Sequence, residues 1–321
     1  MRPLKLVPDH TNIDFMRWRY VAMGMSILLI LASVALVAVR GLNLGVDFAG
    51  GQVIRAEFAQ PIAVDALRTR VDGLGLGEAA IQQFGSPREV SIRLPLPSGG
   101  DAAANTAADR VRQAITSSYP GARIVAVDTV SGKVSGELFS KGAWALGLAM
   151  LFVAAYIWLR FEWQFGVGAL FSLVHDVAIT LGFFALTRLE FNLNIVAAVL
   201  TIIGYSLNDT IVVYDRVREN LRKYRRMEMS DLLNLSANET LARTIVTSLS
   251  LVIALGVLVG LGPEVIFGFS LAMLLGIVIG TYSSIYVANP ILIWAGVGPD
   301  SFVKRDAGPQ GAERVKAREL P

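Results

Sequence analysis

Six long apolar runs, interrupted by only two acidic residues, dominate the pattern of hydrophobic and polar positions along this chain. Crossing the hydrocarbon core of a bilayer, about 30 Å thick, takes about 20 helical residues, and each run can supply such a helix. The pattern therefore predicts a membrane protein built on an α-helical bundle of six transmembrane helices. We place the spans at residues 20–40, 142–159, 165–187, 191–214, 243–262 and 266–293. The last run is longest, and we expect its helix to tilt and to end near Asn289 and Pro290.

The first run is also too long for the apolar part of a typical signal peptide, about 7 to 15 residues. We therefore expect it to remain as a membrane span.

The segment between the first two spans, residues 41–140, has the pattern of a small folded domain. Alternating apolar positions predict strands, and apolar positions three or four apart predict helices. The predicted elements are strands at 52–58, 80–84, 90–94 and 122–130, and helices at 64–74 and 104–119. Their order, β-α-β-β-α-β, is that of a ferredoxin-like α+β domain.

Lys and Arg in the short connections predict the orientation, because such residues concentrate on the cytoplasmic side. Seventeen lie on the side of the two termini, against only Arg188 in the short loop on the other side. We therefore place residues 1–19, a basic loop at 215–242 and a disordered tail at 295–321 in the cytoplasm. The domain at residues 41–140 then lies on the outside of the membrane.

Composition narrows the chemistry that this chain can perform. Hydrophobic residues make up 54% of it and charged residues 17%, and it holds two histidines and no cysteine. Disulfides and thiolate metal sites are thereby excluded, and a histidine-rich metal site nearly so. The sequence also lacks the phosphate-binding loop, the serine nucleophile elbow and the zinc-hydrolase motif. We expect no enzyme activity, no cofactor and no metal.

Charged residues inside the predicted spans are the strongest functional candidates, because a charge at mid-bilayer costs about 2.5 kcal/mol or more. At helical rise, Asp209 lies about 9 Å inside the cytoplasmic end of the fourth span and Arg243 at a similar depth in the fifth, so the two can pair. The alternative for Arg243 is that it extends to the lipid headgroups. Asp176 lies about 18 Å deep, near the midplane, and either continues a proton path or packs as a neutral group. Its neighbour His175 is a weaker candidate for carrying a proton, and Asn208 is expected to hydrogen-bond between helices.

Small residues recur every four positions in the sixth span, and two glycines repeat this spacing in the fifth. The positions are Ala272, Gly276, Gly280, Ser284 and Ala288, with Gly256 and Gly260. Such stripes predict close contacts between helices. The alternative is that this face meets another subunit.

The basic run from Arg216 to Arg226 lies beside a span and lacks interleaved aromatic residues apart from Tyr224. We therefore expect it to bind anionic lipid and no nucleic acid. The glycine pair at Gly50 and Gly51 is expected to form a tight turn between membrane and first strand rather than a ligand loop.

Five segments carry a resemblance to a known family: GVDFAGG at 45–51, VSGKVSGEL at 130–138, SLVHD at 172–176, GYSLNDTIVVYDRVREN at 204–220 and ETLART at 239–244. Together they resemble the SecD/SecF family of Sec translocase accessory subunits, within the resistance-nodulation-division superfamily. The glycine motif of that family then comprises Gly45, Asp47, Phe48, Gly50 and Gly51.

The resemblance implies a subunit of the bacterial inner membrane that uses the proton-motive force to assist protein export. It also implies that the domain at residues 41–140 lies in the periplasm. Its implied partners are the paralogue SecD as a heterodimer, the SecYEG translocon, YajC and YidC, and the translocating preprotein. It also implies that Asp209 and Arg243 form the proton-responsive pair. Our hypothesis is that protonation of Asp209 releases Arg243, and that the resulting shift reaches the external domain through the first and second spans.

Two other classes compete with this interpretation. One is a half-transporter of the same superfamily that moves a lipid or small molecule, although 100 external residues are few for a substrate pocket. The other is an intramembrane aspartyl protease with Asp176 and Asp209 as its dyad. We disfavour the protease because the two aspartates differ by about 9 Å in depth and no Gly-x-Gly-Asp motif is present.

Overall fold

The computed structural model describes residues 8, 11–77, 79–84, 86–97 and 99–298. Ten α-helices and four β-strands follow one another in this part of the chain. They are α1 Arg19–Arg40, α2 Val46–Ala49, β1 Gly51–Glu57, α3 Val64–Asp72, β2 Ala80–Phe84, β3 Ser86–Leu94, α4 Gly100–Ser118, β4 Arg123–Val130, α5 Gly132–Arg160, α6 Trp163–Thr187, α7 Leu193–Lys223, α8 Met229–Leu261, α9 Phe267–Ser283 and α10 Asn289–Trp294. Most of the predicted tail, residues 299–321, lies outside the described residues, as do residues 1–7, 9 and 10.

The prediction of six membrane spans is confirmed, since six helices are long and apolar enough to cross a bilayer. Helices α6, α7 and the last span form the centre of the bundle, with half or more of their apolar windows buried. In α1, α5 and α8 less than a quarter is buried, and large apolar side chains such as Leu28, Phe152 and Ile253 point outward. In a membrane these faces are available to lipid or to another membrane subunit.

Close contact between α7 and α9 depends on glycines in α9. A Cβ on Gly276 would lie 2.4 Å from the Ile202 side chain, and one on Gly280 would lie 3.1 Å from the Cβ of Ser206. The small-residue stripe of the sixth span is thus a packing surface, as predicted. The contacts predicted for Gly256 and Gly260 are not present, because a Cβ there would meet no described atom within 4 Å.

The last span does not end at Pro290, so that prediction is wrong. A π-helical turn at Ser284–Ala288 separates α9 from α10, and Pro290 stands in the first turn of α10. A first-turn proline loses no helical hydrogen bond, because the N–H it lacks would have no partner in that helix. The carbonyl of Ala288 accepts a hydrogen bond from the Tyr214 hydroxyl at 3.0 Å, which compensates for the irregular backbone.

The domain within residues 41–140, called the external domain after its predicted location, has the predicted order of strands and helices. They form a four-stranded antiparallel sheet with strand order β2-β3-β1-β4, covered by the helices. Ile54 of β1 pairs with Ile92 of β3, and both lie on the sheet face that α3 and α4 cover. Leu67 of α3 and Val111 of α4 complete a core separate from that of the membrane bundle.

The connection between α7 and α8, predicted to be cytoplasmic, is mostly helical. Within the predicted basic loop at 215–242, only residues 224–228 lie between helices, because α7 continues to Lys223 and α8 begins at Met229. Residues Ser236 to Glu239 have the sequence pattern of a capping box that starts a helix, but they lie inside α8. Ser236 instead donates to the carbonyl of Leu232 at 2.8 Å, one turn earlier in the same helix. A serine inside a helix can satisfy its hydroxyl in this way, and the sequence pattern alone does not distinguish the two uses.

Candidate functional site

Asp176 lies in a completely buried polar cluster at the contact of α6, α7 and α9. Its Oδ1 lies 2.8 Å from Nδ1 of His175, the preceding residue. Its Oδ2 accepts hydrogen bonds from Ser206 of α7 and, at 2.9 Å, from Ser283 of α9. Ser172, one turn before Asp176, donates to Ser283 at 2.9 Å. No side chain in this cluster is more than 1% exposed, so three helices share one carboxylate.

Small residues allow this cluster to form. Gly280 of α9 faces Ser206, and its missing Cβ brings the two helix backbones close enough for both serines to reach one carboxylate. A buried carboxylate without such donors would carry a large desolvation penalty. The cluster shows that Asp176 packs through hydrogen bonds, which is one of the two roles that the sequence left open.

His175 extends the cluster toward the first span. Its ring stacks on Tyr282, with centroids 6.0 Å apart, and its buried Nε2 has no hydrogen-bond partner in the described ranges of the chain. The Tyr282 hydroxyl donates to the carbonyl of Ala22 at 2.9 Å and lies 3.1 Å from Oγ of Ser26. Polar contacts and this ring stack therefore run continuously from α1 to α7.

Asp209 is buried in α7, three residues after Ser206 and thus about one turn nearer the C-terminal end of that helix. It is 3% exposed, and its Oδ2 has no hydrogen-bond partner among the residues that the structure describes. No hydrogen bond joins it to Asp176 among the described residues, which gives no support to a protease dyad. The neighbouring Asn208 is exposed on the outside of the bundle and makes no described side-chain contact between helices.

Arg243 does not contact Asp209 in this chain. No ion pair joins them in the part of the chain that the structure describes, and Arg243 is exposed. The inward face of α8 is formed by Leu241, Thr244 and Ser248, which are buried. Successive residues of a helix are rotated by about 100°, so Arg243, next to Thr244, points outward. The depth argument placed the two charges at one level but gave no information on which way each side chain points.

The glycine motif forms the predicted turn and adds a cap that the sequence did not reveal. Gly50 and Gly51 have φ values of 71° and 122°, and a Cβ on Gly51 would lie 2.3 Å from the carbonyl oxygen of Leu94. Two glycines are needed here because other residues rarely adopt these conformations. Asp47 accepts a hydrogen bond from the backbone N–H of Leu193, the first residue of α7, at 2.9 Å.

The remaining motif residues pack between the domain and the bundle. Phe48 lies between Phe139 of α5 and Phe191, each with a ring centroid 6.0 Å away. Gly45 lies where a Cβ would be 2.6 Å from Oε1 of Glu190. The motif therefore fixes the junction between the first strand and the outer end of the bundle.

Two arginines of the basic run, Arg216 and Arg218, pair with acidic side chains. Arg216 contacts Glu219 at 3.0 Å and Glu239 at 3.7 Å, and Arg218 contacts Glu162 at 3.5 Å. Asn220, which the sequence did not single out, is buried and donates to Glu239 at 2.8 Å and to Ser236 at 3.0 Å. These contacts hold the C-terminal part of α7 against α8 and against the connection between α5 and α6.

Sequence reasoning also missed Ser172, Ser206, Ser283 and Tyr282. Their helical spacing gave a partial signal, because Ser172 lies four residues before Asp176 and Ser206 three before Asp209.

Within the described residues, no three His, Asp or Glu side chains come together as metal ligands.

Comparisons with known proteins agree on one family. The family profile described as "Protein export membrane protein SecD/SecF, C-terminal" matches residues 110–297, and that of the "SecD/SecF GG Motif" matches residues 35–62. Protein translocase subunit SecF of Rhodobacter capsulatus is 44% identical over 306 residues, 92% of each chain. SecF of Desulfurispirillum indicum is 44% identical over 286 residues, 88% of this chain and 91% of its own.

A solved structure is similar across both the bundle and the external domain. The crystal structure of SecDF, a translocon-associated membrane protein from Thermus thermophilus, matches with a TM-score of 0.82 and 34% identity over 92% of this chain. Its Super-membrane-facing form matches with a TM-score of 0.68. This chain spans 40% of the SecDF chain.

Proposed function

The chain belongs to the SecD/SecF family of protein export membrane proteins, and we propose that it couples the proton-motive force to movement of its external domain during Sec-dependent export. The observation that carries this proposal is Asp209. Its carboxyl group is buried within a membrane-spanning helix, and within the described part of the chain one of its oxygens has no hydrogen-bond partner. Buried ionisable groups in membrane spans commonly mark proton or ion pathways.

Asp209 is well placed for a change of protonation to move helices. It stands one turn from Ser206, whose hydroxyl donates to Asp176, so displacement of α7 at this level strains a hydrogen-bonded contact between three central helices. Burial favours the neutral carboxyl group, whereas a nearby guanidinium favours the charged one. Asp176 and His175 lie next along the proposed proton path, and Asn208 lies at its outer surface.

Arg243 is the proposed counter-charge. A guanidinium exposed on the outward face of α8 raises the free energy of the chain in the membrane if it faces the lipid hydrocarbon. This cost is avoided if the guanidinium reaches the headgroups or contacts another protein. We propose that it approaches Asp209 in one state of the cycle and is released when Asp209 binds a proton. Movement of one proton down a potential of about 100 mV releases about 2.3 kcal/mol, which can bias a two-state movement by nearly fiftyfold.

The proposed assembly is a heterodimer with SecD. The region of SecDF that is similar to this chain makes up 40% of the SecDF chain. The exposed apolar faces of α1, α5 and α8 are available to a membrane partner. We further propose that the chain associates with SecYEG, YajC and YidC, that the external domain contacts translocating preprotein, and that Arg216–Arg226 binds anionic lipid.

The strand order and antiparallel pairing favour a ferredoxin-like class for the external domain. No catalytic step is assigned to this chain.

The proposed location is the bacterial inner membrane with both termini in the cytoplasm, as the distribution of Lys and Arg favours. Single cysteines can test it, because the natural chain has none. A cysteine at Asp109 is expected to react with an impermeant thiol reagent from outside intact spheroplasts, and one at Asp231 only after lysis. The opposite pattern would contradict this orientation.

The function is tested by preprotein translocation into inverted membrane vesicles, with and without a proton gradient. Asp209→Asn and Arg243→Met are each expected to keep the amount of chain and its association with SecD but to lose the gradient-dependent stage of export. Asp231→Asn is the matched control, since that aspartate is exposed at the cytoplasmic start of α8. An Asp209→Asn protein that still responds fully to the gradient would contradict the mechanism.

A further inference from the structure

We propose that Asp47, Arg93 and Glu190 are positioning residues that connect the external domain directly to the outer end of α7, the helix that carries Asp209. We call these three residues the latch. The inference rests on the proposed function, because it specifies how a displacement of α7 reaches the external domain. It adds a second route to the hypothesis drawn from the sequence, in which the first and second spans transmit that displacement.

The first contact of the latch is a helix cap supplied from a distant segment. Asp47 Oδ2 accepts from the backbone N–H of Leu193 at 2.9 Å, across 146 residues of sequence. The helix already has a local cap, since the side chain of Asn192 accepts from the N–H of Ile195 at 3.3 Å. A carboxylate at a helix N-terminus also interacts favourably with the helix dipole. Asp47 therefore links the segment that enters β1 to the end of α7.

The second contact is an ion pair between the sheet and the loop before α7. Arg93 Nη2 lies 2.8 Å from Glu190 Oε2, and both side chains are less than a third exposed. The same guanidinium donates through Nη1 to the carbonyl of Leu44 at 2.8 Å. Arg93 lies on β3, which pairs with β1 along the centre of the sheet. One side chain thus joins the sheet, the glycine-motif segment and the loop before α7.

Backbone hydrogen bonds reinforce the latch. The N–H of Gly45 donates to the carbonyl of Phe191 at 2.9 Å, and the N–H of Phe191 donates to the carbonyl of Asn43 at 2.8 Å. Leu44 and Phe191 form a short parallel bridge. The segment before β1 and the segment before α7 therefore move together as one unit.

A cleft beside the latch gives the domain room to move. A cavity of about 720 Å³ separates the outer face of the sheet from the outer ends of α7 and α9, and Asp47 and Glu190 stand among its lining residues. Arg55 and Asp128 line it on the sheet side, and Phe267 lines it on the bundle side. Since the sheet is not packed tightly against the bundle here, a shift at the latch can tilt the domain and change the width of the cleft.

The first span is a less direct route for the same displacement. Helix α1 packs chiefly against α6, whereas the latch contacts the first residue of α7 and the loop immediately before it. Movement of α7 along its axis therefore acts on Asp47 and Glu190 before it acts on α1.

Pulsed electron paramagnetic resonance can test the latch, because the cysteine-free chain allows spin labels at two chosen cysteines. Asp65 on α3 and Thr187 at the outer end of α6 are exposed and lie on either side of the latch. The full chain is reconstituted with SecD in vesicles, and the label-to-label distance is measured with and without a proton gradient. The variants are Asp47→Ala, Glu190→Gln and the two combined. Asp109→Asn, on the exposed surface of α4, is the matched control.

In the parent chain and the control, the gradient is expected to shift the distance distribution, and Asp209→Asn is expected to remove that shift. The combined latch variant is expected to lose at least half of the shift and the gradient-dependent stage of export, while its amount and its association with SecD stay unchanged. Glu190→Gln, the milder change, is expected to lose a smaller part of both.

A shift of parent size in the combined variant would overturn the latch and leave the proposed function standing. If the combined variant does not assemble, a parent-sized shift in Glu190→Gln would overturn it equally. Absence of any shift in the parent chain would contradict the proposed function and, with it, the transmitting role of the latch.

Discussion

The contact between α7 and α9 yields a prediction whose magnitude follows from the structure. Gly276→Ala adds one methyl group where its carbon would lie 2.4 Å from Cδ1 and Cγ1 of Ile202 and 2.8 Å from Cγ2. Ordinary contacts of this kind begin near 3.4 Å. Because isoleucine is β-branched, its side chain cannot rotate away freely within a helix. The two helices must therefore move apart or distort.

The expected cost is the balance of two effects. Overpacking of a buried contact costs about 1 to 3 kcal/mol, and the severity of this overlap points to about 3. Replacement of a helical glycine by alanine stabilises the helix by about 1 kcal/mol, because alanine has the higher helix propensity. We therefore expect Gly276→Ala to lower the free energy of unfolding by about 2 kcal/mol.

A double-mutant cycle measures this overlap directly. Ile202→Ala removes all three atoms that the new methyl group meets, so Gly276→Ala in that background should raise stability by up to about 1 kcal/mol. The expected coupling energy is then about 3 kcal/mol. Unfolding of the purified chain in mixed micelles of rising SDS content, followed by circular dichroism, provides each value. Gly260→Ala is the control, because its added methyl group meets no described atom within 4 Å. Equal effects of Gly276→Ala and Gly260→Ala, or a coupling energy near zero, would refute the reasoning.

Two further predictions concern the buried cluster and the external domain. Ser283→Ala removes a donor to the Asp176 carboxylate and should cost about 1.5 to 3 kcal/mol in the same unfolding assay, whereas Ser250→Ala, at an exposed hydroxyl, should cost less than about 0.5. Equal losses would contradict the role of the cluster. The isolated segment 51–130 should fold alone with helical circular dichroism and a cooperative melt, because its core is separate from that of the bundle. A non-cooperative melt would count against this.

The sequence by itself determined the elements of this protein. Apolar run length reflects a property of each segment and the bilayer, so six spans were predictable without knowing how the helices pack. Alternation in β1 and β3 and helical spacing in α3 and α4 likewise record which face of each element is buried. The turn at Gly50 and Gly51 was predictable because few residues other than glycine adopt its conformation.

Only the tertiary structure decided which polar side chains meet. Helical rise placed Asp209 and Arg243 at the same depth, but the rotation of α8 turns Arg243 outward, and that rotation is set by packing against α7 and α9. The partners of Asp176 come from helices 30 and 107 residues away along the chain. Asp47 caps α7 across 146 residues. Local patterns carry no information on such contacts, because they depend on the relative rotation and spacing of separate helices, which the whole bundle fixes together.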